Sequence, residues 1–168
     1  VRESFGRQGV MRLLGIELTS IEPGRIEAEL PIRAELAQQA GFVHAGVTTT
    51  LVDTACGKAA LTLMGPGSDV RSVNFNVSLL APAQGEKLVA RARVVRSGRT
   101  ITFTEGDVFG VAADGTETHV ATFGASTSSG SGSDSGSGSG SASGSEISSK
   151  GRSSSTEGVA SAIGSSSD

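Results

Sequence analysis

The sequence is poor in cysteine and in large aromatic residues, and these shortages exclude some classes of protein. Its 168 residues include one cysteine, Cys56, and two histidines, with no tryptophan and no tyrosine. A single cysteine cannot form an internal disulfide, and one cysteine with two histidines is too few for a dedicated zinc site. We therefore predict neither a disulfide framework nor a bound metal ion.

The sequence also lacks an excess of positive charge and a long apolar run. The 14 Lys and Arg residues are balanced by 17 Asp and Glu residues, for a net charge of −3, unlike the basic surface of a nucleic-acid-binding protein. No apolar run approaches the roughly 20 residues of a membrane-spanning helix, and the first residues lack the layout of a signal peptide. We predict a cytoplasmic protein with no nucleic-acid partner and no membrane contact.

The last part of the sequence differs in composition from the rest. Of the 43 residues over 126–168, 20 are serine and 9 are glycine. Such a segment cannot bury enough apolar surface to offset the entropy lost when a chain is ordered. We predict a disordered low-complexity tail over 126–168 and one folded domain over 1–125.

Apolar periodicity predicts strands arranged around one long helix. A short helix over 3–14 comes first, with Val10 and Leu13 on its apolar side, and period-two alternation around the Pro23-Gly24 turn indicates a hairpin. From about 44 to 64, apolar residues recur at helical spacing. Only two charges interrupt that helix, so we expect it to be wrapped by other structure.

Four later segments alternate as strands do. They lie at about 72–79, 88–94, 101–108 and 116–123. Short turns separate the last three, as in an antiparallel meander. The order of the elements predicts an α+β fold in which a curved antiparallel sheet wraps around the long helix.

Asp53 is the most informative residue of the long helix. It is one of the two charged residues there, and small residues share its side of the helix. Burying an ionised carboxylate without partners costs several kcal/mol. The carboxylate must therefore be paired in the structure or used in chemistry, and the pattern alone leaves both interpretations open.

A turn of small residues from Gln38 to Val47 opens the same helix. The first backbone N–H groups of a helix have no partner within it and favour a negative or polarised oxygen. An amide near Ala45 could hold the carbonyl oxygen of an ester or thioester as charge develops there. Asp53, two turns later, could approach that carbonyl carbon only from a neighbouring chain or across a cleft.

Three segments together resemble the hot-dog-fold acyl-CoA thioesterases. The segment 44–55, HAGVTTTLVDTA, is similar to their His-Gly-Gly…Leu-x-Asp signature. The segment 72–83, SVNFNVSLLAPA, resembles the strand that follows, and 95–101, VRSGRTI, resembles a later hairpin. They occur in the order and spacing of the PaaI-like branch of the 4-hydroxybenzoyl-CoA thioesterase superfamily. The resemblance implies a hot-dog fold and hydrolysis of an acyl- or aryl-CoA thioester.

The resemblance also implies roles for four catalytic residues. Asp53 corresponds to the general base or nucleophile. The N–H of Ala45, where the family usually has glycine, corresponds to the donor that polarises the thioester carbonyl. Gln38 corresponds to a residue that orients substrate or water, and Ser72 to a residue that aligns the water.

Further residues are implied in substrate binding: His44, Gly46, Asn76, Arg96 and Arg99. The two arginines suit the phosphates of coenzyme A, which is part of the substrate, and no separate cofactor is implied. The resemblance places Asp53 of one chain opposite Gln38 and Ala45 of another. It therefore implies a homodimer with the site at its interface, and a homotetramer built from two such dimers.

Two other functions stay open at the level of the sequence. The same scaffold could serve as a non-catalytic acyl-CoA-binding or sensor module, although Asp53, Gln38 and the helix-opening turn together favour catalysis. A hydratase is a weaker alternative, because its Asp and His lie a few residues apart, whereas His44 and Asp53 are nine apart.

Overall fold

One six-stranded antiparallel sheet wraps around a single long helix in the computed structural model, which describes residues 1–131. The elements in chain order are α1 (Arg2–Gly6), α2 (Gly9–Leu14), β1 (Glu17–Glu22), β2 (Arg25–Pro31), a 3-10 turn (Ala34–Leu36), α3 (Ala45–Leu61), β3 (Ser68–Leu79), β4 (Lys87–Ser97), β5 (Ile101–Val111) and β6 (Glu117–Ser131). The strands lie in the order β1-β2-β4-β5-β6-β3. The predicted α+β arrangement is confirmed.

The helix α3 packs its apolar residues against one face of the sheet. Val52, Ala55, Cys56 and Ala59 are each 0% exposed. A Cβ atom at Gly106 of β5 would lie 2.7 Å from Cγ2 of Val52, so the missing side chain lets the helix approach the strand closely. Although α3 is apolar, no helix within residues 1–131 is long and apolar enough to cross a membrane.

The N-terminal helical region differs from the prediction. Two short helices, α1 and α2, replace the single helix expected over 3–14. The helix is interrupted between Gly6 and Gly9, because glycine disfavours the helical conformation. The second helix starts in a new phase. Met11 is therefore the buried residue at 2% exposure, whereas Val10 and Leu13, expected on the apolar side, are 44% and 74% exposed.

The helix α3 and the strand β6 end at other positions than expected. The helix stops at Leu61 rather than near Met64. The hydroxyl of Thr62, the residue after its end, accepts a hydrogen bond from the N–H of Gly24. The strand continues past Ala125, the predicted end of the folded domain, and Thr127 pairs with Ser72 of β3. Backbone pairing does not require apolar side chains, so composition alone hid this extension. The remainder of the predicted tail, 132–168, lies outside the described residues.

The strand β3 forms one edge of the sheet, and much of its apolar surface is exposed. Val73, Phe75 and Leu79 are 60%, 48% and 56% exposed. Phe75 has partial cover from Phe123 of β6, whose ring centroid lies 5.3 Å from its own. An exposed apolar edge strand is a template for pairing with another chain.

Candidate active site

Asp53 of α3 and Ser72 of β3 meet where the helix faces the edge strand. The hydroxyl of Ser72 donates a hydrogen bond to Oδ1 of Asp53 at 2.9 Å. The carboxylate is half-buried rather than enclosed, and the strand that packs beside it, β3, is an edge strand of the sheet. Within residues 1–131, no Lys, Arg or His lies within salt-bridge distance of Asp53. Its remaining lone pairs can therefore accept a proton from a bound water.

A cavity of about 120 Å³ opens beside this pair and is lined by Gln8, Asp53, Thr54, Gly57, Lys58, Val70 and Ser72. The helix α3 and the strand β3 pack side by side here, since a Cβ atom at Gly57 would lie in ordinary van der Waals contact, 3.8 Å from Cγ1 of Val70. Only Asp53 and Ser72 of these seven lining residues were expected at the site, and Lys58 is an unexpected charged one. Lys58 is 7% exposed, its Nζ donates to Ser4 at 2.8 Å, and burial lowers its pKa.

A β-bulge places Ser72 on the side of β3 that faces α3. The register against β6 shifts between Ser72 and Asn74. Because of the shift, Ser72 pairs with Thr127 and Phe75 pairs with Ala125, and both partners are buried residues of the helix-facing side. In a regular strand, positions three apart would point to opposite faces. The clean alternation expected over 72–79 is therefore interrupted at the residue that contacts Asp53.

His44 organises the start of α3 so that one backbone amide is left over. Its Nδ1 accepts from the N–H of Gly46 at 2.9 Å, and its carbonyl oxygen accepts from the N–H groups of Val47 and Thr48 at 2.9 and 3.2 Å. The N–H of Ala45, the residue between His44 and Gly46, has no hydrogen-bond partner within residues 1–131. A free amide at the positive end of a helix can donate to a polarised carbonyl oxygen.

A second cavity, of about 210 Å³, lies at this end of α3. It is lined by Gln38, Phe42, Val43, Ala45, Thr48, Leu79, Ala81, Pro82, Ala83 and Val120. The side-chain oxygen of Gln38 accepts from the N–H of Ala40, which leaves the NH₂ of the same amide as a donor. The structure therefore brings Gln38 and Ala45 together, as the resemblance implies.

The two cavities lie at different places along α3 and share no lining residue. Ala45 and Asp53 are eight residues apart on one helix, which separates them by about 12 Å along its axis. One protomer therefore does not direct the Ala45 amide and the Asp53 carboxylate at the same carbonyl group.

Three residues expected to bind substrate lie away from both cavities. Asn76 pairs with Gly124 on the side of the sheet opposite α3. Arg96 lines a separate surface depression of about 460 Å³ near the end of β4. Arg99 is exposed in the turn between β4 and β5.

Other candidate nucleophiles and metal ligands give no competing site. Burial raises the pKa of the Cys56 thiol to about 12, so that thiol stays protonated and unreactive at neutral pH. His119 lies on the opposite side of the sheet, 3.0 Å from Asp107. Within the described part of the chain, no group of three His, Cys, Asp or Glu residues could hold a metal ion.

The chain is similar to known thioesterases in sequence and in structure. The sequence model of the thioesterase superfamily matches residues 40–111. Human acyl-coenzyme A thioesterase 13 is 36% identical over 99 residues, which cover 58% of this chain and 70% of that protein. A crystal structure of a thioesterase family protein from Silicibacter pomeroyi is 42% identical, with a TM-score of 0.74, over 76% of this chain and 93% of that chain.

A likeness of fold alone extends further. The PaaI protein of E. coli, from the phenylacetic acid degradation operon, is 20% identical, with a TM-score of 0.67, over 76% of this chain and 88% of that chain. The hot-dog fold predicted from the sequence is thereby confirmed. The chain belongs to the thioesterase superfamily and is a thioester hydrolase.

Proposed function

We propose that the chain hydrolyses an acyl- or aryl-coenzyme A thioester to the free acid and coenzyme A, with Asp53 as general base. The main support is the hydrogen bond that Ser72 donates to Asp53 beside a cavity. The Asp53 carboxylate has no cationic partner at salt-bridge distance within residues 1–131. A carboxylate bound to one neutral donor can still accept a proton from water. The printed name of the human relative supports the choice of an acyl-CoA substrate.

The reaction follows from the two polar sites. The oxygen of a water molecule adds to the carbonyl carbon of the thioester, and Asp53 takes the proton that the water loses. The free N–H of Ala45 donates to the carbonyl oxygen while that oxygen carries negative charge. The carbon–sulfur bond then breaks, the leaving sulfur takes the proton from Asp53, and the carboxylate is restored.

Other residues in or next to the two cavities position these groups. Ser72 orients the Asp53 carboxylate, and the NH₂ of Gln38 is placed to donate to the substrate or the water. His44 and Gly46 hold each other at the helix start, which leaves the Ala45 amide free. These roles are supported by the hydrogen bonds of one protomer.

The proposal requires a homodimer in which Asp53 of one copy meets Ala45 of the other. The separation of the two cavities along α3 supports this requirement. The exposed apolar edge of β3 supplies a surface for the second copy, since Val73 and Leu79 are 60% and 56% exposed in the single chain. A tetramer built from two such dimers stays a prediction.

Arg96 and Arg99 are the residues that we propose for the phosphates of coenzyme A. Both are exposed near the turn between β4 and β5, and neither forms a salt bridge within residues 1–131. Unpaired guanidinium groups on a surface can bind phosphate oxygens in a bidentate manner.

The Asp53→Asn substitution tests the proposed base. Thiol release is measured with acetyl-, medium-chain, phenylacetyl- and hydroxybenzoyl-CoA. We expect the best substrate to lose about 100-fold or more in kcat, because asparagine cannot accept the proton. The melting temperature should stay close to that of the wild type, and Asp69→Asn, at an exposed carboxylate of β3, serves as the matched control.

Near-wild-type turnover by Asp53→Asn would exclude Asp53 as the base. Saturable binding of every thioester by the wild type, with no thiol released, would instead support the non-catalytic binding module.

A further inference from the structure

Three consecutive threonines near the start of α3 differ in what their hydroxyl groups bind. Thr49 and Thr50 donate to the carbonyl oxygens of Ala45 and Gly46, four residues earlier, both at 2.8 Å. Thr48 has the carbonyl oxygen of His44 at the same spacing. Its hydroxyl nevertheless has no hydrogen-bond partner within residues 1–131. Threonine in a helix occupies either of two χ1 rotamers, so its hydroxyl is not obliged to bind the backbone.

The unpartnered hydroxyl of Thr48 is also buried. The residue is 1% exposed, and its Oγ1 is among the few buried side-chain polar atoms without a partner in the described residues. Such a group costs folding free energy that a valine of the same shape would not. A ligand that binds the hydroxyl would remove that cost.

Thr48 lines the same cavity as Gln38 and Ala45. Residues three apart in a helix are neighbours on its surface, so Thr48 lies beside Ala45 at the helix start. The rest of that cavity is mostly apolar, with Phe42 and Leu79 among its walls. A few polar groups that converge in an apolar cavity are typical of a small-molecule site.

We infer that Thr48 is a further catalytic residue, whose hydroxyl donates a hydrogen bond to the carbonyl oxygen of the bound thioester. The inference rests on the proposed function, in which the N–H of Ala45 binds the same oxygen. The two donors, which lie three residues apart in the first turn of α3, stabilise the negative charge that the oxygen gains when water adds to the carbon. The proton of Thr48 stays on its own oxygen throughout, so the reaction stays balanced as written above.

The Thr48→Val substitution tests the inference, because it removes the hydroxyl and keeps the shape. We expect kcat for thiol release to fall about tenfold or more, with KM little changed, since the bond strengthens only in the transition state. The melting temperature should not fall, because no hydrogen bond is lost on folding. Thr48→Ser, which keeps the hydroxyl, should retain most of the activity.

Thr49→Val is the matched control, since it removes a hydroxyl that donates to the backbone. We expect its kcat to equal that of the wild type. Equal kcat for Thr48→Val and the wild type would overturn the inference and leave the proposed function intact. A fall in both kcat and melting temperature for Thr48→Val and Thr48→Ser alike would show a packing role and overturn it as well. A wild type that releases no thiol would overturn the proposed function itself.

Discussion

The outer face of the sheet and the β3 edge differ in the exposed side chains that they present: paired charges on the face and apolar groups on the edge. On the face turned away from α3, Arg91 donates to both oxygens of Glu117 at 2.6 and 2.8 Å and to Glu27 at 3.0 Å. Along β3, the apolar side chains of Val73 and Leu79 are more than half exposed in the single chain. The charged side chains of the first surface pair within one chain, whereas the second surface is the one that the proposed homodimer would cover.

The same contrast holds for the polar groups of the site. The charged groups on the outer face pair with one another, but the Ala45 amide and the Thr48 hydroxyl have no hydrogen-bond partner within residues 1–131. The groups left without partners are the ones that line cavities. Unsatisfied buried polar groups and exposed apolar patches are both typical of places where a protein binds another molecule.

The largest effect is expected from a charge placed on the β3 edge. Val73→Lys adds a cation at a side chain that is 60% exposed, so the fold of one protomer should be kept. A cation at the contact between two β3 edges would be buried there without a partner, so the dimer should dissociate. We expect light scattering to report half the wild-type mass, and kcat/KM to fall about 100-fold or more, since the partner's oxyanion donor is lost.

Leu13→Lys is the control for that experiment, because Leu13 is 74% exposed and lies on α2, outside the sheet. It should keep the wild-type mass and activity. A Val73→Lys protein with unchanged mass and full activity would show that β3 is not the dimer contact.

A much smaller effect is expected on the outer face. The hydrogen bonds from Arg91 lower the pKa of the Glu117 carboxyl below its usual value. A carboxyl whose pKa is lower in the folded protein adds stability above its unfolded pKa, and this stability is lost as the pH falls through the folded pKa. At neutral pH we expect Glu117→Gln to reduce the free energy of unfolding by under about 1 kcal/mol, as for other exposed ion pairs.

Denaturant titrations at several pH values check this expectation. The difference in the free energy of unfolding between the wild type and Glu117→Gln should vanish in acid, once Glu117 of the folded protein is protonated. Thiol release by Glu117→Gln at neutral pH should equal that of the wild type. A difference that persists or grows in acid would show that Glu117 acts through something other than its charge.

The periodic part of the fold could be predicted because burial follows directly from spacing. Val52, Ala55 and Ala59 recur at helical intervals and are all fully buried. The N-terminal helix could not be placed correctly, because the break between Gly6 and Gly9 changes which residues face the core. Spacing counts residues along one helix and does not register where a new helix begins.

The sequence singles out Asp53 as a candidate residue, but it does not give the geometry around that carboxylate. Asp53 stands out because a charge on an apolar helix is rare. Its contact with Ser72 depends on a bulge in β3, which the alternating sequence conceals. The free hydroxyl of Thr48 depends on a rotamer, and three identical threonines in a row give no signal of which one differs.

A pair of complementary variants tests the shared site. Ala45→Pro removes one N–H at the first position of α3, where proline is tolerated, and the extended backbone of His44, with ψ of 137°, suits a following proline. Asp53→Asn removes the base and keeps the amide. Each variant alone should be nearly inactive, because every site of its homodimer lacks one group.

Thiol release by an equal mixture of these two variants, unfolded and refolded together, measures most directly whether Asp53 and Ala45 act from different copies. If Asp53 and Ala45 act from different copies, each mixed dimer contains one complete site, and the mixture should recover about a quarter of the wild-type activity. A mixture no more active than its two parent proteins would contradict a site shared between two copies and would place the whole site within one chain.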